Sequence, residues 1–391
     1  MVIIHGLLHA LAISGVMTWD ILWSLILGFT LSAIIQAVVR KKTIARLLGD
    51  ARPKTLALAA GLGIASSSCS YAAVAISRSL FRQGATFASA MIFEIASTNL
   101  VVELGIIMAL LLGWQFTLAE FVGGPLMIIL LAVIYRIFLR KKVVEAAYKQ
   151  ASEGIAGSME GHAAMDMTIG RKGSFLERLR SAEGLTSVSH IFVMEIAAVW
   201  KDLVGGLLIA GAVAAWVPTS IFRSLFFSSH PLLSQFWGPI IGPVISLLSF
   251  VCSIGNVPLA AVLWNNGISF GGVVSFIFAD LIIIPILLIY RKYYGTRMML
   301  FILASFYSTM VIAGWLTELI FSNLGLTPPN HHVAVITPHI SLNYTTWLNI
   351  IFLAVAAWLV ARFIRTGALP MLKMMDGGPP KTDDQAACHS C

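Results

Sequence analysis

Nine long apolar segments divide this sequence. They cover residues 19–39, 55–77, 84–113, 117–139, 191–217, 238–264, 267–290, 298–322 and 346–364. Most of them are long enough to span a bilayer, since a helix needs about 20 apolar residues to cross its roughly 30 Å hydrocarbon core. The chain is 58% hydrophobic and only 11% charged, whereas a soluble domain carries about 25% charged residues. The sequence therefore predicts an all-α polytopic membrane protein that sits in a lipid bilayer.

The basic residues lie in short clusters between the apolar segments. The formal net charge is +8, and the clusters occupy residues 40–46, 140–142, 171–172 and 291–297. Lys and Arg are concentrated in this way in cytoplasmic loops, whereas a nucleic-acid-binding protein presents a basic patch or stripe. The pattern predicts a multi-pass plasma-membrane protein with its N-terminus outside, its C-terminus in the cytoplasm and no nucleic-acid partner.

Two apolar segments, 55–77 and 238–264, are predicted not to cross the membrane completely. Three apolar segments separate the basic loops at 40–54 and 140–190, although an even number of crossings must separate two cytoplasmic loops. Two apolar segments separate the outside loop 218–237 from the basic cluster at 291–297, although an odd number of crossings must separate an outside loop from a cytoplasmic one. Irregular backbone at membrane depth is tolerated only when it is buried in protein or lines a cavity. We therefore expect each segment, which is interrupted by Gly, Ser or Pro, to form a re-entrant hairpin or a broken helix.

An internal repeat relates these two segments. Cys69 aligns with Cys252, and each is followed by a serine. The same offset, without gaps, pairs further identical residues: Ser66 with Ser249, Val74 with Val257, Leu80 with Leu263, Gly84 with Gly267, Phe87 with Phe270, Phe93 with Phe276 and Ala96 with Ala279. The charge-derived topology gives the copies opposite orientations, and paired broken segments in inverted repeats point to a transporter's binding site. The expected fold is two inverted repeats and an extra C-terminal span.

These features divide the chain into seven parts. They are an N-terminal interfacial segment (1–18), transmembrane repeat 1 (19–139), a cytoplasmic loop (140–190), transmembrane repeat 2 (191–324), an external loop (325–345), a final span (346–365) and a disordered cytoplasmic tail (366–391). Within the cytoplasmic loop we expect some helix around residues 174–183. The tail is predicted to be disordered because it is polar and rich in Gly and Pro.

The sequence around both broken segments resembles a known family. The residues that carry the resemblance are Phe250–Ala261 with Gly267 and Phe270–Gly272, and Ser66–Tyr71 with Gly84 and Ala96–Asn99. They resemble the signatures of the predicted permeases related to the ArsP organoarsenical efflux permease, over roughly residues 19–325. The resemblance implies a plasma-membrane permease and, in the namesake, export of trivalent organoarsenicals. This sequence departs from the family pattern at Ala75, where the second segment has Pro258, and at Thr98, which replaces a proline.

The two broken segments carry the candidate substrate site. Thiolates are soft ligands that suit As(III), Cu(I) or Hg(II), so Cys69 and Cys252 can bind such a species from the two repeats. The alternative is that both cysteines are small apolar residues that permit close helix packing. The polar or kink-forming residues expected to line the same site are Ser68, Ser70, Asn99, Ser253, Asn256 and Pro258. Pro258 is expected to fix the kink of the second hairpin.

Several ionisable residues fall within the apolar segments, where a charge is costly and is a functional hypothesis by default. Glu94 and Asp280 lie in corresponding spans and are the candidates for carrying a coupling proton. Glu103 follows Asn99 by four residues, which predicts that the two share a helix face. The alternative is partial exposure near a helix end, which best suits Glu120 and Glu195.

Two further groups of soft ligands lie outside the apolar segments. His162, Met165 and Met167 stand close together in the cytoplasmic loop, and Cys388 and Cys391 end the tail. Thioether, imidazole and thiolate groups suit soft metals such as Cu(I). The alternatives are coincidence in a chain with 15 Met and an incidental tail, since structural zinc needs four ligands.

The sequence favours a permease that moves a small solute out of the cell, with a soft metal or metalloid species as the cargo. One alternative is a permease for another small solute such as an oxyanion, in which the cysteines only pack. The other is a membrane-bound enzyme or a non-transporting scaffold. We expect no enzyme activity and no cofactor, because no nucleotide-binding glycine motif or hydrolase triad occurs. A homo-oligomer is compatible with the sequence.

Overall fold

The computed structural model describes residues 2–38, 46–68, 70–152, 175–216, 219–227, 230–249, 253–328, 344–370 and 372. Throughout these residues the regular structure is helical, and none of them forms a β-strand. The predicted all-α class is therefore confirmed.

The described residues of the first part of the chain form eight helices. They are α1 (Val2–Val38), α2 (Pro53–Ser66), α3 (Ser70–Arg82), α4 (Phe87–Asn99), α5 (Val102–Leu111), α6 (Trp114–Phe138), α7 (Lys141–Ser152) and α8 (Phe175–Arg180). Residues 2–18, which we treated as a separate interfacial segment, continue into the first apolar segment as one helix.

The second part of the chain is also helical in its described residues. Its helices are α9 (Ala182–Trp216), α10 (Thr219–Phe226), α11 (Pro231–Ser249), α12 (Ser253–Asn265), α13 (Phe270–Phe278), a 3-10 turn (Ala279–Leu281), α14 (Ile284–Tyr294), α15 (Thr296–Asn323) and α16 (Tyr344–Arg365). At the offset that aligns the two copies, α12 begins and ends where α3 does. Thr86 and Ser269, which also correspond, each cap the helix that follows by accepting a bond from a backbone N–H three residues on.

The first broken segment is a hairpin whose two arms begin and end at the same end of the helical bundle. The N–H of Thr86, after α3, donates to the carbonyl of Leu48, before α2 (2.9 Å). Between these points α2 runs alongside α4, with Gly63 against the backbone of Phe93. The N–H of Ser68 at the hairpin tip donates to the carbonyl of Ser97 (2.9 Å). Because α3 then leads back to Thr86, α2 and α3 form a helical hairpin.

The second broken segment is built in the same way from α11 and α12. Gly238 lies against Ser269, the residue that caps α13 after the hairpin, and Gly242 lies against Gly272. A Cβ atom at either glycine would collide with α13 or its cap, so glycine permits the close contact between α11 and α13. The start of α11 and the end of α12 therefore lie near one another.

The two hairpins open toward opposite ends of α6. Phe116, near the start of α6, packs against Trp264 and Phe270 at the open end of the second hairpin. Tyr135, near the other end of α6, packs against Phe87 at the open end of the first. The stretch of α6 from Phe116 to Tyr135 corresponds to about 28 Å of helix, close to the ~30 Å thickness of a bilayer core.

Among the described residues, five stretches of helix are long and apolar enough to cross a membrane, and a sixth is gained if the pair α13 and α14, bent by 41°, counts as one. The five are Phe87–Leu111, Trp114–Phe138, Leu232–Ser249, Thr296–Asn323 and Thr346–Arg365. Helices α1 and α9, with 37 and 35 residues, are also longer than a crossing needs. By contrast, Leu232–Ser249 is the first arm of the second hairpin, although its length would allow it to cross.

Helix α7 covers one end of the helical bundle. Its last turn accepts bonds from the guanidinium group of Arg78 on α3, at the carbonyl of Ala151 (2.8 and 3.2 Å). The amide of Gln150 donates to the carbonyls of Arg291 and Lys292 at the end of α14 (3.1 and 3.0 Å). We expected helix within residues 140–190 only around 174–183, so α7 corrects that expectation. The sequence signal for α7 was its amphipathic pattern. Ala147 and Ala151, which are both buried, are four residues apart and therefore lie on one helix face.

Candidate functional site

The two hairpin tips meet inside the bundle. Ser70 and Ser253 are the first residues of α3 and α12, and their hydroxyl oxygens are 3.5 Å apart. Both side chains are buried, and Ser67 just before α3 has a positive φ of 43°. A non-glycine residue in this region is uncommon and marks a sharp change of chain direction. The corresponding serines of the two copies thus form a direct contact between them.

Asp280 lies behind this contact, in the 3-10 turn that interrupts the second copy's span. Its carboxylate accepts a bond from the hydroxyl of Ser70 (2.7 Å) and one from the amide of Asn99 (3.4 Å). Asp280 and Asn99 are fully buried. Asp280 therefore belongs to the second copy by sequence but is bound by residues of the first.

Glu94 is the other carboxylate that connects the two copies. It is fully buried in α4 and accepts bonds from the hydroxyl groups of Ser77 on α3 and Tyr290 on α14. Ser77 follows Ser70 by two helical turns, so the Glu94 and Asp280 sites lie at successive levels along one face of α3. The carboxylates are close enough for their charges to interact.

A narrow crevice opens beside the first hairpin tip. Its lining comes from α1, the tip, the α4–α5 junction and the start of α12: Gly28, Phe29, Ser67, Ser68, Thr98, Val101, Glu103, Leu104 and Ser253. Glu103 packs against α1 at Gly28, where a Cβ atom would lie 2.9 Å from its Cγ. Ser68 and Ser253 thus lie at one opening.

Two of the sequence predictions about this region need correction. Asn99 and Glu103 do not share a helix face, because α4 ends at Asn99 and α5 begins at Val102. Pro258 lies inside α12, five residues after that helix begins. It is therefore not the residue at which the second hairpin turns. Asn256 donates to Ser246 on the other arm of the hairpin (3.2 Å).

Partial exposure, the alternative that best suited Glu120 and Glu195, is wrong for both. Glu120 is fully buried in α6, and Glu195 is 1% exposed. Within the described residues, neither carboxylate oxygen of Glu120 has a hydrogen-bond partner. Its charge interacts with that of Asp280. Glu120 thus adds a third buried carboxylate near the two that join the copies.

Replacing Glu120 with methionine is expected to raise the free energy of unfolding by about 1–3 kcal/mol, because a buried polar group without partners is removed. Thermal unfolding in detergent measures the effect. Glu318→Met is the matched control with the opposite expected sign, since Glu318 accepts a bond from the N–H of Gly271 (2.5 Å). A lower melting temperature for Glu120→Met would contradict the prediction.

Seven of the predicted ligands lie outside the described residues. They are Cys69, Cys252, His162, Met165, Met167, Cys388 and Cys391. Cys69 and Cys252 directly precede Ser70 and Ser253 in the sequence. Their ligand role stays a prediction.

Sequence reasoning missed Tyr290, Ser77 and the role of Ser70 as the partner of Asp280. The spacing of seven positions between Ser70 and Ser77 was a usable signal for a shared helix face. No sequence signal pointed to Tyr290, because its contact with Glu94 joins residues 196 positions apart.

Comparison with known proteins identifies permeases as relatives of this chain. The sequence profile of the predicted-permease family ArsP_1 matches residues 6–319. The Mycobacterium tuberculosis protein Rv2963, which is named as a permease, is 63% identical over 347 residues, covering 89% of this chain and 86% of that relative. The matched residues include both hairpins, the crevice and the buried carboxylates Glu94, Glu120 and Asp280. The chain therefore belongs to the ArsP_1 family of predicted membrane permeases.

Proposed function

We propose that this permease exports a soft metal or metalloid species of the organoarsenical type through a midplane site between two inverted hairpins. The observation that carries the proposal is the contact of Ser70 with Ser253, 3.5 Å apart at the two tips. Paired broken helices that meet near the membrane midplane are typical of transporter binding sites. The site comprises Ser68, Cys69, Ser70, Asn99, Cys252, Ser253, Asn256 and Pro258.

The two cysteines supply the selectivity for soft species. Each is the chain neighbour of one of the two contacting serines. Thiolates bind As(III) and other soft ions more strongly than hydroxyl or carboxylate oxygens do. One thiolate from each hairpin can therefore hold a trivalent arsenic centre whose remaining position carries an organic group.

Proton exchange at Glu94 and Asp280 drives the export. Asp280 is bound by Ser70 and Asn99 of the other copy, and Glu94 is bound by Tyr290 of the other copy. Because each carboxylate bonds across the boundary between copies, a change in its protonation alters the contact that holds the copies together. This supports alternating access, in which one copy moves relative to the other.

The end of the bundle covered by α7 faces the cytoplasm. Arg82, Lys141, Lys142, Arg291 and Lys292 lie in or next to the helix ends that meet there, and basic residues concentrate on the cytoplasmic side. This orientation puts the N-terminus outside and the C-terminal tail inside. The His162, Met165 and Met167 cluster and the Cys388 and Cys391 pair then face the cytoplasm, where they can bind the cargo before export.

A growth panel tests the proposal. A strain lacking the gene is complemented with the wild-type chain or with an empty vector and exposed to trivalent methylarsenic, silver, copper, mercury and arsenate. We expect the wild type to raise tolerance to at least one of the soft species. Equal growth of both strains in every condition overturns the efflux function. Raised tolerance to arsenate alone favours the oxyanion alternative.

The double variant Cys69→Ser/Cys252→Ser is expected to lose most of that added tolerance, because serine oxygen is a poor ligand for soft ions. The matched control is Cys388→Ser/Cys391→Ser, which changes the same residue type in the tail. If tolerance falls only in the tail variant, the cargo binds at the tail cysteines and not at the hairpin cysteines. Unchanged tolerance in the hairpin variant means that the two membrane cysteines only pack.

A further inference from the structure

The hydroxyl group of Ser253 connects the crevice to Asp280. A serine hydroxyl has one proton to donate and lone pairs that accept. Ser70 donates its proton to the Asp280 carboxylate (2.7 Å). In the bond between Ser70 and Ser253 (3.5 Å), Ser253 must therefore be the donor. Ser253 is left with only lone pairs to present to the crevice.

Glu103 gives the crevice a second acceptor and a negative charge. Its side chain is 5% exposed, lines the crevice and makes no salt bridge with any described residue. An ionised carboxylate can only accept hydrogen bonds. Among the described residues, no Lys, Arg or His lines the crevice.

Two backbone N–H groups that could bind an anion at the first tip are already occupied. The N–H groups of Ser67 and Ser68 donate to the carbonyls of Gly63 (3.2 Å) and Ser97 (2.9 Å). The Ser67 hydroxyl, 8% exposed, has no described partner. The hydroxyl groups of Ser66 and Ser68 bond to each other (2.9 Å).

The balance of charge also disfavours an anion. Helices α3, α5 and α12 begin around the crevice, and each N-terminus contributes roughly half a positive charge. Glu103 and ionised Asp280 each contribute a full negative charge. The sum is about −0.5 elementary charges, and it rises to about +0.5 when Asp280 takes up a proton.

We propose that the crevice binds a solute that donates hydrogen bonds or carries positive charge and rejects oxyanions, and that protonation of Asp280 releases this solute. The inference rests on the proposed function and narrows its substrate class. When Asp280 is protonated, its O–H donates a hydrogen bond to Ser70. Ser70 then donates its hydrogen bond to Ser253 instead, and the hydroxyl proton of Ser253 points toward the crevice. The acceptor that held the solute becomes a donor.

The carboxylates around Asp280 define where this switch acts. Glu94 on α4 and Glu120 on α6 are the titratable groups whose charges interact with Asp280. Helices α11, α12 and α13, which pack on the 3-10 turn, contain no titratable residue. Helix α15 also packs on this turn and carries Arg297, Tyr307 and Glu318. Of the described carboxylates, only Asp280 is joined to the crevice through the two serines.

The substrate class is tested with the full-length protein in liposomes, using silver ion, methylarsonous acid and arsenate as probes. Protein-free liposomes give the background. The wild type is expected to move the first two and not arsenate. Glu103→Gln is expected to slow silver by about tenfold to a hundredfold and to admit arsenate. Glu318→Gln, a buried carboxamide away from the crevice that keeps an acceptor for Gly271, should behave like the wild type.

The proton switch is tested with Ser70→Ala and Ser70→Thr. Methylarsonous acid is neutral, so it senses the hydrogen-bond direction, whereas silver senses the charge of Asp280. We expect acid pH to weaken the binding of both probes to the wild type, by about tenfold. Ser70→Ala should remove this pH dependence for methylarsonous acid and keep it for silver. Ser70→Thr retains a hydroxyl and should show the pH dependence for both probes.

The outcomes separate the inference from the function on which it rests. Wild-type transport of arsenate as fast as that of silver overturns the substrate class and leaves the permease function standing. An unchanged pH dependence for methylarsonous acid in Ser70→Ala overturns the serine switch. If the wild type moves none of the three probes, the proposed function fails and the inference fails with it.

Discussion

Replacing Asp280 with asparagine is expected to reduce transport driven by a pH gradient to the level of protein-free liposomes. The amide oxygen can still accept the bond from Ser70, so the hairpin contact survives, but the side chain can no longer take up or release a proton. Downhill exchange of the cargo across the membrane, at equal pH on both sides, should continue. The measurement is cargo flux in liposomes with and without an imposed pH gradient.

Asp50→Asn is the control for the Asp280 variant. Asp50 lies before α2, where its side chain is about half exposed and pairs with Arg52 (3.7 Å). It has no contact with the described residues of the hairpin tips, so both modes of transport should persist. If Asp280→Asn retains full pH-driven transport, Asp280 does not carry the coupling proton. If it also loses downhill exchange, the residue is needed for the structure of the pathway.

Replacing Gly63 with valine is expected to remove most of the folded protein. A Cβ atom at this position would collide with the carbonyl oxygen of Phe93 and would lie 2.9 Å from the Cβ of Ala96. The obstacle is partly backbone, which cannot rotate away as a flexible side chain can. Overpacking of a core typically costs about 1–3 kcal/mol and occasionally more, and we expect the upper end because α2 must separate from α4.

Gly61→Ala is the matched control, two residues away in the same helix. A Cβ atom at Gly61 meets no atom within 4 Å, and alanine favours a helix over glycine by about 1 kcal/mol. The melting temperature in detergent should therefore rise slightly for Gly61→Ala and fall for Gly63→Val. Equal stability of the two variants would show that α2 does not depend on its close contact with α4.

The membrane class and the two broken segments could be predicted from the sequence because both are local properties. A run of about 20 apolar residues specifies a span by its length alone. The Gly- and Pro-containing interruptions and the parity of basic loops then located the hairpins. The ends of α3 and α12 correspond residue for residue, in agreement with the alignment of Cys69 with Cys252.

The partners of the buried carboxylates could not be predicted in this way. Asp280 contacts Ser70 across 210 positions and Asn99 across 181, and no periodicity relates residues so far apart. Burial was misjudged for a related reason. Glu120 stands near the start of an apolar segment, which resembles a position that reaches water. Only the packing of α6 against its neighbours shows that it does not.

The sequence by itself determined that this chain is a helical membrane protein, and it predicted two copies of one unit, each with an interrupted segment. Those properties follow from hydrophobicity, charge parity and repetition, which are read along the chain. Only the tertiary structure decided that the two hairpin tips touch, that Ser70 joins Ser253 to Asp280 and that Glu103 lines the adjoining crevice. These contacts depend on how the copies pack against each other, and the hydrophobic pattern that drives the packing does not specify which polar groups will meet.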